Sequence, residues 1–141
     1  MGYDLRPRNK KIDEFSIGAF SWPIILQETG MGYVLGYGKS MCPGQYVYQS
    51  GNNGSPASND GYKVTSDQAK CMAKIARGFL SVQLFVNEEW DKLNEEERIA
   101  HEETKFDGKC IYRPAWRNKQ VLDKIEQFAE FAEKSQGFTI H

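Results

Sequence analysis

The residues best suited to holding a ligand lie in a glycine- and tyrosine-rich segment, residues 30–49, which reads GMGYVLGYGKSMCPGQYVYQ. The run Gly38-Lys39-Ser40 matches the end of a phosphate-binding loop, which needs a glycine, four residues and then Gly-Lys-Ser or Gly-Lys-Thr. Tyr33 occupies the position of the required first glycine, and the dinucleotide-binding pattern fails because its third glycine falls on Leu35. The segment therefore does not predict nucleotide hydrolysis.

A non-enzymatic binding site for a small polar or anionic, nucleotide-like ligand is the leading prediction. Aromatic faces combined with a few fixed polar groups are typical of such pockets. The polar loop over residues 50–61 adds donors and acceptors beside the glycine-rich segment, and the helix that follows the loop carries an arginine. The candidate ligand-binding residues are Trp22, Tyr33, Tyr37, Lys39, Ser58, Asn59, Asp60 and Arg77.

Structural roles are the alternative for the same residues. Tyr33–Leu35 and Tyr46–Tyr48 have the composition of two short strands, whose tyrosines would form cross-strand pairs in a hairpin. Residues 50–61 are rich in turn-forming types, which is also typical of an exposed excursion between strands. Phe20 and Trp22 would then attach the first helix to the core.

Residue types and spacings do not favour an enzyme. The chain has two histidines, His101 and His141, and it lacks the motifs of serine hydrolases and zinc proteases. Glu97 and His101 lie four residues apart, but one imidazole without a second set of ligands does not define a zinc site. We therefore expect no catalytic residue, no metal and no cofactor. A hydrolase without a recognisable motif is the third hypothesis, behind ligand binding and protein interaction.

Charge segregation supports the second hypothesis, a protein-protein interaction module or inhibitor that forms a homo-oligomer. Residues 88–103 are acidic and residues 105–119 are basic, so the two stretches can bind each other or a partner. An apolar excess at residues 79–86 is a surface that a small monomer must hide.

Composition disfavours several classes of protein, including nucleic-acid-binding, membrane and secreted proteins. The 141 residues suit one domain, and a net charge of −1 disfavours non-specific nucleic-acid binding. No stretch approaches the roughly 20 apolar residues of a membrane span. The basic N-terminal residues are not followed by the apolar run of a secretory signal. Three widely spaced cysteines indicate a reduced, cytoplasmic protein.

A helix predicted over residues 65–86 would position the candidate binding residues. Thr65 and Gln68 have the spacing of a capping box, and apolar residues recur three and four apart. The pattern becomes apolar nearly all round at residues 79–86, which predicts burial on most sides. Cys71 is expected to be a buried apolar filler, and Gly78 to mark a kink or a close contact.

The remaining pattern predicts an α+β fold in a single domain, residues 1–141, with this central buried helix, a short antiparallel sheet or hairpin and two or three further helices. Residues 1–14 are expected to be a solvated arm or edge, and residues 15–20 a strand. Helices are expected from Ser21 to Gly30 and over residues 95–105, where Asn94 and Glu97 have the spacing of a second capping box. A last helix with an apolar stripe is expected from Asn118 to its C-terminal cap at Gly137. Short strands are expected at residues 109–112 and 138–140.

The segments FSIGAFSWP and SNDGYKVT, with the helix that follows them, resemble a group of small bacterial and phage proteins without an assigned function. The resemblance covers roughly half of the chain. It implies a free-standing cytosolic domain, carried by a phage, which would sequester a host signal. It supplies no catalytic residues.

Overall fold

Four strands and four α-helices make up the described part of the chain. The computed structural model describes residues 2–37, 54–103 and 119–141. The strands are β1 (Gly2–Pro7), β2 (Phe15–Gly18), β3 (Tyr62–Val64) and β4 (Phe138–Ile140). The helices are α1 (Ser21–Thr29), α2 (Ser66–Asp91), α3 (Glu95–Glu103) and α4 (Lys119–Lys134), and a 3-10 helix spans Met31–Leu35. The predicted α+β class is confirmed.

The sheet is antiparallel and has the strand order β2-β1-β4-β3. Leu5 lies opposite Phe15 on one side and Ile140 on the other. Because side chains alternate between the faces of a strand, these three residues share one face, and all three are buried. The opposite face carries the polar residues of the same strands, with Ser16 donating a hydrogen bond to Asp4 (2.8 Å).

The N-terminal segment corrects the prediction of a solvated arm, because β1 is an inner strand with partners on both edges. Its pattern, GYDLRP, contains one aliphatic side chain, Leu5, which is fully buried. Strand β3 was not anticipated either, because three residues are too few for a periodic signal. The strands expected at residues 15–20 and 138–140 are confirmed as β2 and β4.

Helix α2 begins as its sequence predicts. The Gln68 amide donates to Thr65 Oγ1 (3.2 Å) and the Thr65 amide donates to Gln68 Oε1 (3.0 Å), which completes the capping box. Small residues and one methionine then face the core. The fully buried residues of this first half are Ala69, Met72, Ala73 and Ala76.

The second half of α2 corrects the prediction of burial on most sides. Val82, Leu84 and Phe85 keep 56%, 62% and 52% of their surface exposed, whereas the polar Gln83 is buried. Lengths explain the difference. The 26 residues of α2 extend over about 39 Å, at 1.5 Å per residue, whereas the 16 residues of α4 extend over about 24 Å. Among the described elements, α2 packs chiefly on α4 and the 3-10 helix, and α4 is too short to cover the whole of α2.

The structure also corrects the predictions for two single residues of α2. Cys71 is exposed, so it does not fill the core. A Cβ atom at Gly78 would meet no atom of the described residues within 4 Å, and the helix continues through this residue, so Gly78 marks no close contact in the described part of the chain.

Helix α4 packs along α2 and supplies an aromatic cluster to the core. The ring of Phe128 lies 5.8 Å from Phe15, 5.3 Å from Trp22 and 6.0 Å from Phe138, measured between ring centroids. Burial of one such side chain contributes about 1.5–3 kcal/mol to folding. The predicted apolar stripe of this helix is confirmed, and its buried residues are Ile125, Phe128, Ala129, Phe131 and Ala132.

The segment after α1 corrects the predicted hairpin. Residues 33–35 belong to the 3-10 helix, which is bounded by Gly30 (φ 84°) and Gly36 (φ 71°). Both glycines adopt left-handed backbone angles that favour glycine, and they close the chain into a tight turn instead of a strand. The second expected strand, residues 46–48, lies outside the described residues.

The ends of α1 agree only partly with expectation. Gly30 ends the helix as predicted, but Ser21 is its first residue and no side chain in the described part of the chain caps it. Trp22 is fully buried, whereas Phe20 is 88% exposed, so only the tryptophan of this aromatic pair packs into the core.

Helix α3 confirms the predicted capping box of Asn94 and Glu97. The Glu97 amide donates to Asn94 Oδ1 (2.8 Å) and the Asn94 amide donates to Glu97 Oε1 (3.2 Å). Trp90, just before this turn, is buried as expected. The strand expected at residues 109–112, the Asn118 cap and most of the basic stretch lie outside the described residues.

Candidate functional site

The polar loop predicted to border a ligand site is fastened to the core in its described part, residues 54–60. The indole Nε1 of Trp22 donates to the Pro56 carbonyl (2.9 Å), and the Tyr3 hydroxyl donates to the Ala57 carbonyl (2.5 Å). Ser58 Oγ donates to the Ser55 carbonyl (2.8 Å), so this hydroxyl is used inside the loop. These bonds hold the loop as a cover over α1.

Trp22 lies beneath this loop with none of its surface exposed. Its ring contacts Phe128 and its only polar group is bonded to Pro56. A ligand would reach the indole only if residues 54–60 moved away. The other two predicted residues of the loop, Asn59 and Asp60, are exposed on its outer side.

Tyr33 and Tyr37 lie within and just after the 3-10 helix, and both are half-buried. The Tyr37 amide donates to the Gly32 carbonyl (2.8 Å), and the Tyr37 ring packs against the core. Lys39, the cation expected beside them, lies outside the described residues. The structure thus brings Trp22 and the loop together, while ligand contact by the tyrosines stays a prediction.

Arg77 pairs across the helices instead of facing the loop. Its Nε and an Nη donate to the Glu133 carboxylate on α4, at 2.5 Å and 3.0 Å. This hydrogen bond raises the pKa of the Arg77 guanidinium and lowers the pKa of Glu133. The guanidinium therefore joins α2 to α4 at the surface.

A different surface with exposed apolar side chains is one side of α2, which we call the outer face. Its residues recur four and three apart and so share one side of the helix. They are Cys71, Ile75, Gly78, Val82, Phe85 and Glu89. Cys71, Gly78, Val82 and Phe85 are exposed, and Ile75 and Glu89 are half-buried.

The second half of α2 has an inverted pattern of polarity. Gln83, on its inner side, is buried. Among the described residues, neither the side-chain oxygen of Gln83 nor that of half-buried Asn87 has a hydrogen-bond partner. The outer side carries Val82 and Phe85, which are more than half exposed. Amphipathic surface helices normally show the opposite arrangement, with apolar residues inward. The outer face is therefore not explained by packing within the described chain.

Charges of opposite sign border the two ends of the outer face. Lys70 and Lys74 precede Gly78, and Glu88 follows it, all exposed. Glu89 pairs with Lys92 (3.0 Å). Within the described ranges, no ion pair engages Lys74 or Glu88. In the described part of the chain, the face therefore has the unpaired positive charge of Lys74 toward one end and the unpaired negative charge of Glu88 toward the other.

A shallow groove of about 380 Å³ lies between α2 and α4, on a different side of α2 from the outer face. Its apolar lining includes Leu80, Leu84 and Leu122, and Arg77 and Glu126 also line it. Leu84, the most exposed residue of α2 among the large hydrophobics, therefore belongs to this groove and not to the outer face.

Other kinds of site find no support in the described residues. Among them, no group of three or more His, Cys, Asp or Glu side chains is arranged to hold a metal ion. No helix in these ranges combines the length and the apolar character needed to cross a bilayer. The His141 ring lies on the polar face of the sheet, where its Nε2 is hydrogen-bonded to Thr139 Oγ1 (2.8 Å).

Comparisons of the chain with protein-family models, with curated proteins and with solved structures find no match. The interpretation of the outer face therefore rests on the residues that form it. The four- and three-residue spacing of the outer face is present in the sequence. A second apolar stripe on the same helix, which packs into the core, has a stronger pattern, so the outer face was not recognised from sequence.

Proposed function

We propose that this protein is a protein-interaction module that associates through the outer face of α2. The observation that carries the proposal is the exposure of Val82 and Phe85, 56% and 52%, on a helix whose other side is packed into the core. Neighbouring large apolar side chains that stay open to water are typical of surfaces that bind another protein.

The way α2 is held supports this role. A capping box fixes its start, and the Arg77–Glu133 pair and the packed alanines fix its first half against α4 and the core. A rigid helix loses little conformational entropy when it binds, so more of the contact energy appears as affinity. Such a helix presents its side chains already in place.

The residue types on the outer face also suit close helix packing. Gly78, with nothing within 4 Å of its Cβ position, lets the backbone of another element approach. Val82 provides a branched apolar side chain one turn away. Lys74 and Glu88, at the two ends, would orient the partner by charge complementarity.

The test replaces Val82 with aspartate, which places a charge in the centre of the proposed contact. Gln127→Glu is the control, because it adds the same charge at an exposed position on α4. Circular dichroism and thermal unfolding verify that both variants fold. Association is measured by sedimentation velocity of the purified protein over a range of concentrations. A photo-cross-linker at position 85, on the outer face, reports other partners, each of which is purified and tested for binding.

We expect Val82→Asp to abolish association with a second copy or with a purified partner, and Gln127→Glu to leave association unchanged. If the wild-type protein and Val82→Asp associate equally, or if neither associates with itself or with any cross-linked protein, the outer face is not an interaction surface.

A further inference from the structure

We propose that the partner of the outer face is a second copy of this chain, with the two α2 helices packed antiparallel. This inference rests on the proposed function and names its partner. It begins from the spacing of Cys71, Ile75, Gly78, Val82, Phe85 and Glu89, which alternates between four and three residues. That alternation averages 3.5 residues per turn, which is the spacing of the seam between paired helices.

The order of large and small residues along the seam favours the antiparallel direction. A parallel, in-register pair places Gly78 against Gly78 and Glu89 against Glu89, which leaves a gap and brings like charges together. An antiparallel pair centred at the level of Leu80 instead places Gly78 beside Val82 of the second copy. The same alignment sets Ile75 beside Phe85 of the second copy, so large side chains meet small or branched ones.

Charge supplies an independent argument for the same alignment. In it, Lys74 of one copy lies beside Glu88 of the other, and the two-fold symmetry repeats this pair. Within one chain these residues are fourteen positions apart, about 21 Å along the helix, so they cannot pair with each other. The parallel alignment sets Lys74 beside Phe79 and gives it no opposite charge.

At the centre of the seam, the described residues leave space for a second helix. The Cβ position of Gly78 is open, and Cys71 and Val82 on either side of it are exposed. The paired stretch, residues 71–89, is about 28 Å long. A single helix pair of this length buries less than a standard protein interface, so we expect a dissociation constant on the order of micromolar.

A charge exchange tests the alignment. Lys74→Glu and Glu88→Lys are measured separately and together by sedimentation equilibrium. Each single change places two repulsive pairs in the dimer, and we expect it to weaken dimerisation roughly tenfold. The double variant restores two attractive pairs and returns the dissociation constant to within about threefold of the wild-type value.

Lys10→Glu and Glu28→Lys are the matched controls, because they make the same chemical changes at exposed positions on other elements. Neither should alter dimerisation. The proposed alignment is overturned if the two single changes have no effect, or if the double variant is as weak as the single effects combined. Retained circular dichroism and thermal stability show that the loss of dimer is not a loss of fold.

A distance measurement separates the antiparallel from the parallel pair. A spin label is placed at Ser81 or at Lys70, both exposed, after the native cysteines are replaced. The antiparallel pair brings the two labels at position 81 together and separates the two labels at position 70 by about 30 Å along the helix axis. Equal, short distances at both positions would show a parallel pair and overturn the proposal.

Failure of this inference differs from failure of the proposed function. A wild-type chain that stays monomeric at every concentration, yet binds a purified partner through Val82, rules out the second copy as the occupant of the outer face. The interaction role of the outer face then stands.

Discussion

At the scale of single residues, two glycines differ in whether the fold requires them. Gly137, between α4 and β4, has φ 93°, and a Cβ atom there would lie 2.7 Å from the Val64 carbonyl oxygen. Gly78 lies in the middle of a helix with open space around it. The first is required by the fold, whereas the second costs helix stability and leaves room at the outer face.

Replacing each glycine with alanine should change stability in opposite directions. Gly137→Ala combines an unfavourable backbone angle with a backbone clash, so we expect a loss of roughly 1–3 kcal/mol in the free energy of unfolding. Gly78→Ala is the matched control and should gain about 0.5–1 kcal/mol, because alanine is the better helix former. Urea unfolding at low protein concentration measures both. A neutral Gly137→Ala would contradict the tight approach to Val64.

The ion pair of Arg77 and Glu133 predicts a pH effect at the same scale. The hydrogen bond from Arg77 lowers the pKa of Glu133, so the pair's contribution to stability is present above the ordinary carboxyl pKa. It is lost as the pH falls through the lowered value. Arg77→Gln should raise the pKa of Glu133 toward its ordinary value, which carboxyl-carbon NMR titration measures.

Lys134→Gln is the control for that titration. The hydrogen bond from Lys134 is the main cause that lowers the pKa of Glu130, so this change should act chiefly on Glu130. A Glu133 pKa that does not respond to Arg77→Gln would show that the pair does not persist in solution.

At the scale of elements, helix ends were predictable from sequence because their signals are local. The capping boxes at Thr65 and Asn94 and the glycine after α1 each involve residues within four positions of one another. Burial along α2 was not predictable in the same way, because it depends on how far α4, a separate element later in the chain, packs along it. The inverted polarity at Gln83 and Val82 shows only once the core side of the helix is known.

The two capping boxes should differ in their effect on stability. Thr65→Ala removes the cap of a helix that is packed into the core, so we expect a loss of about 1 kcal/mol in the free energy of global unfolding. Asn94→Ala removes the cap of α3, whose described first turn is largely exposed. It should speed amide exchange in α3 with little change in global stability. Equal effects of both changes on global unfolding would contradict this ranking.

At the scale of the whole molecule, the α+β class could be predicted, but the strand order could not. Alternating Phe15 and Ile17 identified β2, and the apolar stripe identified α4. Strand β1 has a single aliphatic residue, and its place inside the sheet depends on β4, more than 130 residues later. Such long-range pairing leaves little trace in local sequence, and β3 is too short to show any.

The candidate site was less predictable than the fold. Trp22 and the polar loop have the composition of a ligand site. The same composition also fits a buried tryptophan that is hydrogen-bonded to the loop covering it. Ligand binding and oligomerisation both stay predictions, and the exposed side of α2 favours the second.

Hydrogen–deuterium exchange of α2, read by mass spectrometry, tests the central claim most directly. We predict that peptides spanning residues 78–91 exchange more slowly as protein or partner concentration rises, and that Val82→Asp removes this protection while residues 66–76 stay protected throughout. Exchange in residues 78–91 that is the same at every concentration of protein and partner, in both the wild-type protein and the variant, would contradict an association through the outer face.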